Sequence, residues 1–157
     1  MPRIDLKDAP VRTSCAYPGA LAEHCAGRAK IALGDLGGLD QFGVNLTRLA
    51  PGAASAHRHW HLKEDEFIYL LEGEAVLVED DGETLLRAGD AAAFKAGVAK
   101  GHMLVNRSDR DVLFLEVGTR SSDDVVTYTD RDVDMAARKE AGAWTFSRRN
   151  GEPLPSS

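Results

Sequence analysis

Long apolar runs are missing from this chain. Nothing approaches the roughly 18 consecutive apolar residues that a membrane-spanning helix needs, so no membrane partner is expected. Cysteine is scarce as well. Cys15 and Cys25 are the only two, too few for a disulfide framework and spaced like no zinc motif, and they read as free thiols of a cytoplasmic protein. The first residues, "MPRIDLKDAPVRTS", mix charge with proline and lack the apolar region of a signal peptide. Basic residues are in the minority, 19 against 25 acidic ones, for a net charge of −6. A nucleic-acid partner would require a concentrated basic surface, so none is expected. No serine or cysteine sits in a nucleophile motif, and the Gly-rich "GDLGG" lacks the strand–turn–helix setting of a nucleotide site. There are no internal repeats. With 157 residues, 43% of them hydrophobic, the chain reads as one soluble domain able to bury a core.

What is present is a series of short strand patterns between about residues 40 and 118. "QFGVNLTRL" alternates Phe42, Val44 and Leu46 with Gly43, Asn45 and Thr47, then breaks at Pro51-Gly52. "EFIYLL" stops at Glu72-Gly73, and "EAVLVE" stops at Asp80-Asp81-Gly82, where a glycine able to take positive φ predicts a hairpin into "ETLLRAG". "AAAFKAG", "HMLVNRS" and "DVLFLEVG" continue the series. Strands at this spacing without helical patterns between them predict an all-β, antiparallel sandwich or barrel. The ends carry weaker signals. Residues 1–39 show little periodicity, "DRDVDMAARKEAG" predicts a short helical turn stopped by Gly142, Trp144 and Phe146 alternate as on a strand edge, and "NGEPLPSS" reads as a frayed tail.

The chemistry concentrates in "AHRHWHLKEDEFIYLLEG", residues 56–73. Only five histidines occur, and His57, His59 and His61 take alternate positions here. Two residues is the period of a strand, so on a strand all three would point one way. Exposure in water would explain a single histidine without further comment. Three features count against it for this set. Arg58 and Trp60 already supply a plausible outer face. Glu66 opens an apolar strand face shared with Ile68 and Leu70, a costly place for an uncompensated carboxylate. His102 likewise opens "HMLVN". Imidazoles and a carboxylate at strand entrances make a ligand set for a first-row metal.

These segments resemble the two motifs of the cupins. Gly52, His59-x-His61, Glu66 and Gly73 follow the first motif; Gly89-Asp90, Gly97, His102 and Asn106 follow the second. Together they cover roughly the middle half of the chain. Departures are one extra residue between Gly52 and His59, Lys95 where the motif has proline, and two extra residues in the loop "GVAKGH". The resemblance is to the small bacterial single-barrel type. It implies a double-stranded β-helix (jelly-roll barrel) core at about 40–118, with extensions at 1–39 and 119–157. It also implies one divalent transition metal per chain, held by His59, His61, Glu66 and His102. Fe, Mn, Ni, Co, Cu and Zn all suit such ligands.

The function expected from the resemblance is that of a metalloenzyme acting on a small polar metabolite, by oxygenation, decarboxylation or isomerisation. A non-enzymatic small-molecule-binding or sensing barrel is the alternative. His57 reads as a solvated residue at the strand start, with a role as acid or base at the cavity mouth as the functional reading. Glu64 and Asp65 read as solvated turn residues, as do Lys95 and Lys100 beside the longer loop. Phe94, Met103, Val105 and Phe114 read as core, and Phe67, Tyr69 and Leu71 as packing on the reverse of the Glu66 strand. The ligand is expected to enter past Gly97–Gly101 and His57, the far end being blocked by Leu46, Leu70 and Leu115. A homodimer is expected, because open sheets leave edges that a partner can cover.

Overall fold

The computed structural model describes residues 3–154, and over these the chain forms two antiparallel sheets. Twelve strands run in order: β1 Arg28–Ala32, β2 Phe42–Leu49, β3 His59–His61, β4 Glu66–Glu72, β5 Glu74–Glu79, β6 Gly82–Arg87, β7 Ala91–Phe94, β8 His102–Val105, β9 Val112–Thr119, β10 Asp124–Tyr128, β11 Ala136–Glu140 and β12 Ala143–Ser147. One sheet has the order β1-β2-β9-β4-β7, the other β12-β11-β10-β3-β8-β5-β6. The helical elements are short: a 3-10 helix at Gly19–Cys25 and one turn, α1, at Leu33–Leu36. The all-β jelly-roll architecture is the one expected.

Turn chemistry fixes the register of the central strands. Gly73 joins β4 to β5 at φ +79°, and a Cβ there would stand 2.7 Å from the Asp111 carbonyl oxygen. Only glycine meets both demands. β5 and β6 form the expected hairpin, but its cause differs from the sequence reading. Glu79 pairs with Gly82, so Asp80 and Asp81 make the turn, and Gly82, which is not among the positive-φ residues, opens β6.

The interior face of the five-stranded sheet is set by alternation. Ile68, Leu70, Val112, Phe114 and Leu49 are buried there and join Leu77, Leu86 and Leu104 of the opposite sheet in one core cluster. The interior positions of β2 are Gly43, Asn45, Thr47 and Leu49, so Phe42, Val44 and Leu46 face outward. Gly43 and Asn45 line an interior cavity, and the apolar set covers the outside of the sheet. Leu46 pairs with Leu115 on that same outer face. Of the three leucines expected to block the barrel end, only Leu70 points inward. Met103 and Val105 also fall opposite the inward His102 and Leu104, and are half-buried.

The chain ends are more ordered than their patterning implied. "DRDVDMAARKEAG" holds no helix: β11 and β12 form a hairpin turning at Ala141 (φ 49°) and Gly142 (φ 80°), a pair of left-handed residues that matches the twist of the strands. Trp144 and Phe146 lie on a strand, as expected. A second core cluster gathers Val126, Tyr128, Val133, Met135 and Ala137, against which Tyr17, Leu21, Phe146 and Leu154 pack. The tail is therefore tied down as far as Leu154, with Ser147 bridging Pro153; the rest of "NGEPLPSS", residues 155–157, lies outside the described residues. Cys15 and Cys25 are free thiols in contact, Sγ to Sγ 2.8 Å. Among the described residues no helix is long and apolar enough to cross a membrane.

Candidate metal centre

Three strands bring the candidate ligands together. β3 lies between β10 and β8, with His59 directly opposite His102 and, on its other side, opposite Tyr128. Glu66 opens β4 in the facing sheet. Its Oε2 lies 2.8 Å from His102 Nε2 and 3.8 Å from His59 Nε2, and its Oε1 lies 3.6 Å from His61 Nε2. Ligand atoms of His59, His61 and Glu66 all fall within 4.8 Å of one another.

Hydrogen bonds on the far side of two rings decide which nitrogen faces the site. His59 Nδ1 donates to the His57 carbonyl oxygen at 2.7 Å, and His61 Nδ1 donates to Asp124 Oδ2 at 2.6 Å. A carbonyl or carboxylate oxygen can only accept, so each proton sits on Nδ1 and each Nε2 lone pair is turned toward Glu66. His102 differs. Its Nδ1 is buried with no hydrogen-bond partner among the described residues, and its Nε2 donates to Glu66. Its ring lies flat on Phe94, centroids 3.6 Å apart. A divalent ion with ligand bonds of about 2.1 Å separates its donors by roughly 3 to 3.5 Å. The gaps around Glu66, 2.8, 3.6 and 3.8 Å, lie on either side of that range, and the donor set of imidazole nitrogens and one carboxylate fits such an ion.

Electrostatics agree with that use. Burial pulls the His59 imidazole down to about 4, against the opposing pull of Glu66, so the ring is neutral at pH 7. For Glu66 burial is the largest single influence and would raise its pKa. The His102 hydrogen bond and the three neighbouring imidazoles together outweigh it and hold the carboxyl at about 2. A neutral imidazole and an ionised carboxylate are the states a metal requires.

Two cavities meet at these residues. The larger, about 490 Å³, extends past Tyr17, Arg28, Lys30, Asn45, Glu116 and Trp144. The smaller, about 220 Å³, is bordered by Val98 and Lys100 of the longer loop. The loop thus borders only the minor space, and the N- and C-terminal segments wall the major one. The expected entrance past the loop leads into the smaller cavity, which itself reaches His61, Glu66 and His102.

The reading of His57 is corrected. It is 6% exposed, stacks on His24 at 4.1 Å, and its Nε2 is bonded to the Leu21 carbonyl oxygen. It precedes β3 rather than lying on it and lines neither cavity; it serves the site through its backbone oxygen. Glu64 is not solvated either: its Oε1 accepts from Lys139 Nζ and from the Ser121 backbone N–H, both at 2.9 Å. Lys100 is paired with Glu79 and Asp81, whereas Lys95 and Asp65 are exposed as read. Asn106, fully buried, donates to the carbonyl oxygens of Leu49 and Arg110 and holds the turn after β8.

The cupin domain family model matches residues 45–118. A sugar phosphate isomerase from the cupin superfamily of Silicibacter pomeroyi is 46% identical, with a TM-score of 0.93 over 98% of this chain and 97% of its own. The chain belongs to the cupin superfamily. This cupin is also similar to a structure named as a candidate sugar phosphate isomerase of Acidithiobacillus ferrooxidans, at 25% identity, TM-score 0.76 and coverage of 88% and 86%. It shares its fold with the polyketide cyclase RemF of Streptomyces resistomycificus, 24% identical, TM-score 0.62, over 76% and 79% of the two chains. No curated protein matches.

Residues of this cupin that sequence reasoning missed are Asp124, Lys30 and Glu116. Asp124 is 1% exposed and opens the apolar strand "DVVTY". A carboxylate at the start of an apolar strand is the same signal that singled out Glu66, and it was there to be used. Lys30 and Glu116, joined at 2.6 Å across the cavity wall, carry no motif.

Proposed function

We propose that this cupin is a metal-dependent isomerase acting on a sugar phosphate in the larger cavity. The observation that carries the reading is the convergence of His59, His61, Glu66 and His102 on the wall of a 490 Å³ cavity, in a chain that aligns over 98% of its length with a protein named a sugar phosphate isomerase. That alignment favours isomerisation over oxygenation or decarboxylation. His59, His61 and Glu66 hold one divalent transition metal, and His102 joins them by giving up its hydrogen bond to Glu66. Such an ion, when bound, polarises a substrate carbonyl as a Lewis acid. The chain's own part is to orient and to exclude water: Asp124 and the His57 carbonyl fix the ring tautomers, Tyr17, Tyr128 and Trp144 supply apolar wall, and Arg28 supplies positive charge toward the phosphate. The protein is read as cytoplasmic and as a homodimer. Phe67, Tyr69 and Leu71, each about 40% exposed on the outer face of the five-stranded sheet, make the surface that a second copy covers. The test is proton NMR of aldopentose and aldohexose phosphates incubated with metal-reconstituted protein. Conversion to the ketose supports the reading; binding without conversion of any member favours the non-enzymatic alternative.

A further inference from the structure

One charged pair inside the larger cavity takes no part in holding the candidate ligands. Lys30 of β1 and Glu116 of β9 meet at 2.6 Å, their side chains only 25% and 20% exposed. Their position follows from register. Glu66 pairs with Gly118, and Gly118 pairs in turn with Gly43, so two neighbouring interior positions carry no side chain. Glu116, two residues before Gly118, is the diagonal neighbour of Glu66 on the same interior face, about 7–8 Å away between Cα atoms. Gly118 places no side chain of its own between Glu66 and Glu116, and the histidine cluster and Glu116 line the same cavity. Glu116 gives one oxygen to Lys30; among the described residues its other oxygen accepts no hydrogen bond. Glu64, the alternative carboxylate, is already bonded to Lys139 and Ser121, and it approaches His61 from the Nδ1 side, away from the Nε2 that faces Glu66.

We infer that Glu116 is the catalytic proton carrier, with Lys30 as its positioning residue; the inference rests on the isomerase reading and deepens it. The reaction it serves moves a carbonyl between adjacent carbons of an aldose phosphate. Glu116 takes the proton from the carbon next to the carbonyl. The electron pair of that C–H bond forms the C=C bond of an enediolate, and the former carbonyl oxygen takes the negative charge. The neighbouring hydroxyl passes its proton to that oxygen, its own oxygen becomes the new carbonyl, and Glu116 returns its proton to the former carbonyl carbon. Nothing is oxidised or reduced overall, and Glu116 ends as it began. Lys30 fixes the carboxylate so that its open oxygen faces the substrate.

The experiment compares wild type, Glu116→Gln and Glu116→Asp on aldopentose and aldohexose phosphates in deuterium oxide, alongside metal content, melting and substrate affinity by calorimetry. Loss of a positioned acid–base group is expected to lower kcat of Glu116→Gln about 100-fold or more, with bound metal and substrate affinity unchanged. Wild type should place solvent deuterium on the product carbon. Displacing the carboxylate in Glu116→Asp should cost kcat about tenfold or more. Glu116→Gln with near-normal kcat, or loss of metal in parallel with kcat, overturns the role. If Glu116→Gln does not melt cooperatively, Glu116→Asp decides, and wild-type kcat in that variant overturns it. Turnover by wild type without any deuterium uptake also overturns it, while leaving the isomerase reading intact. A wild type that converts no member of the panel refutes the isomerase reading and this role together.

Discussion

Replacing Asp124 by asparagine removes one charge and no volume, and it reaches the site through one hydrogen bond. Asp124 Oδ1 accepts the Lys63 backbone N–H at 2.8 Å, and Oδ2 accepts Nδ1–H of His61 at 2.6 Å. The side chain has no solvent exposure. Asparagine offers one oxygen and one NH2 to these two donors. If the oxygen stays with Lys63, the NH2 faces His61, whose Nδ1 must then become an acceptor. The ring proton moves to Nε2, and the lone pair aimed at the metal is lost. If the amide flips, the Lys63 N–H is left facing a donor in a buried place. Loss of such a partner to a ligating histidine typically weakens metal affinity about 10- to 100-fold, or about 1.4–2.7 kcal/mol. The assay is chelator competition for zinc or cobalt by the metal-free protein. The control is Asp123→Asn: Asp123 is 53% exposed and paired only at the surface with Lys63, Ser122 and Ser121. Wild-type affinity in a well-folded Asp124→Asn protein, or an equal loss in the Asp123 variant, would refute the reasoning.

Three further outcomes are expected. The folded state holds His59 at about 4 against an ordinary 6.5, so between those values the unfolded chain binds more protons, and the metal-free protein must lose stability as pH falls through that range. At about 1.4 kcal/mol per pH unit the loss reaches roughly 3 kcal/mol; Glu66, held at about 2 against 4.5, acts in the same direction at lower pH. Melting temperatures of metal-free protein that stay level from neutral pH to pH 4 would contradict this. Gly73→Ala should cost about 2 kcal/mol or more in denaturant unfolding, since it combines a left-handed backbone with a clash against the Asp111 carbonyl; an unchanged midpoint would remove the turn from the account. Phe67→Ser with Tyr69→Ser should convert a dimer to a monomer in light scattering at micromolar concentration, and a monomeric wild type would refute the dimer outright.

How much could be read in advance depended on whether a residue's surroundings were local. The strands from Phe42 to Thr119 and the four candidate ligands were legible because turn residues and strand entrances are local signals, and Gly73 could be nothing else. The direction in which β2 faces was not legible. Alternation alone does not say which of its two sets faces inward, and only the completed sheet shows that Gly43 and Asn45 line an interior cavity while Phe42, Val44 and Leu46 cover the outside. Residues 130–142 were misread for a related reason: "MAARKEAG" contains good helix formers, and pairing with β10 overrode a weak local preference. His57 shares the period of His59 and His61 but sits before the strand begins, where His24 and Leu21 from a distant segment bury it. Lys30 and Glu116 lie 86 residues apart, and no spacing rule could have joined them.

The most direct test of the account is elemental analysis of the protein purified without a histidine tag and after metal reconstitution. The donor set predicts about one divalent transition metal per chain, retained in His57→Ala, whose ring stands outside the cluster, and lost in His59→Ala and Glu66→Ala. A wild type that is metal-free and cannot be reconstituted would contradict the central claim.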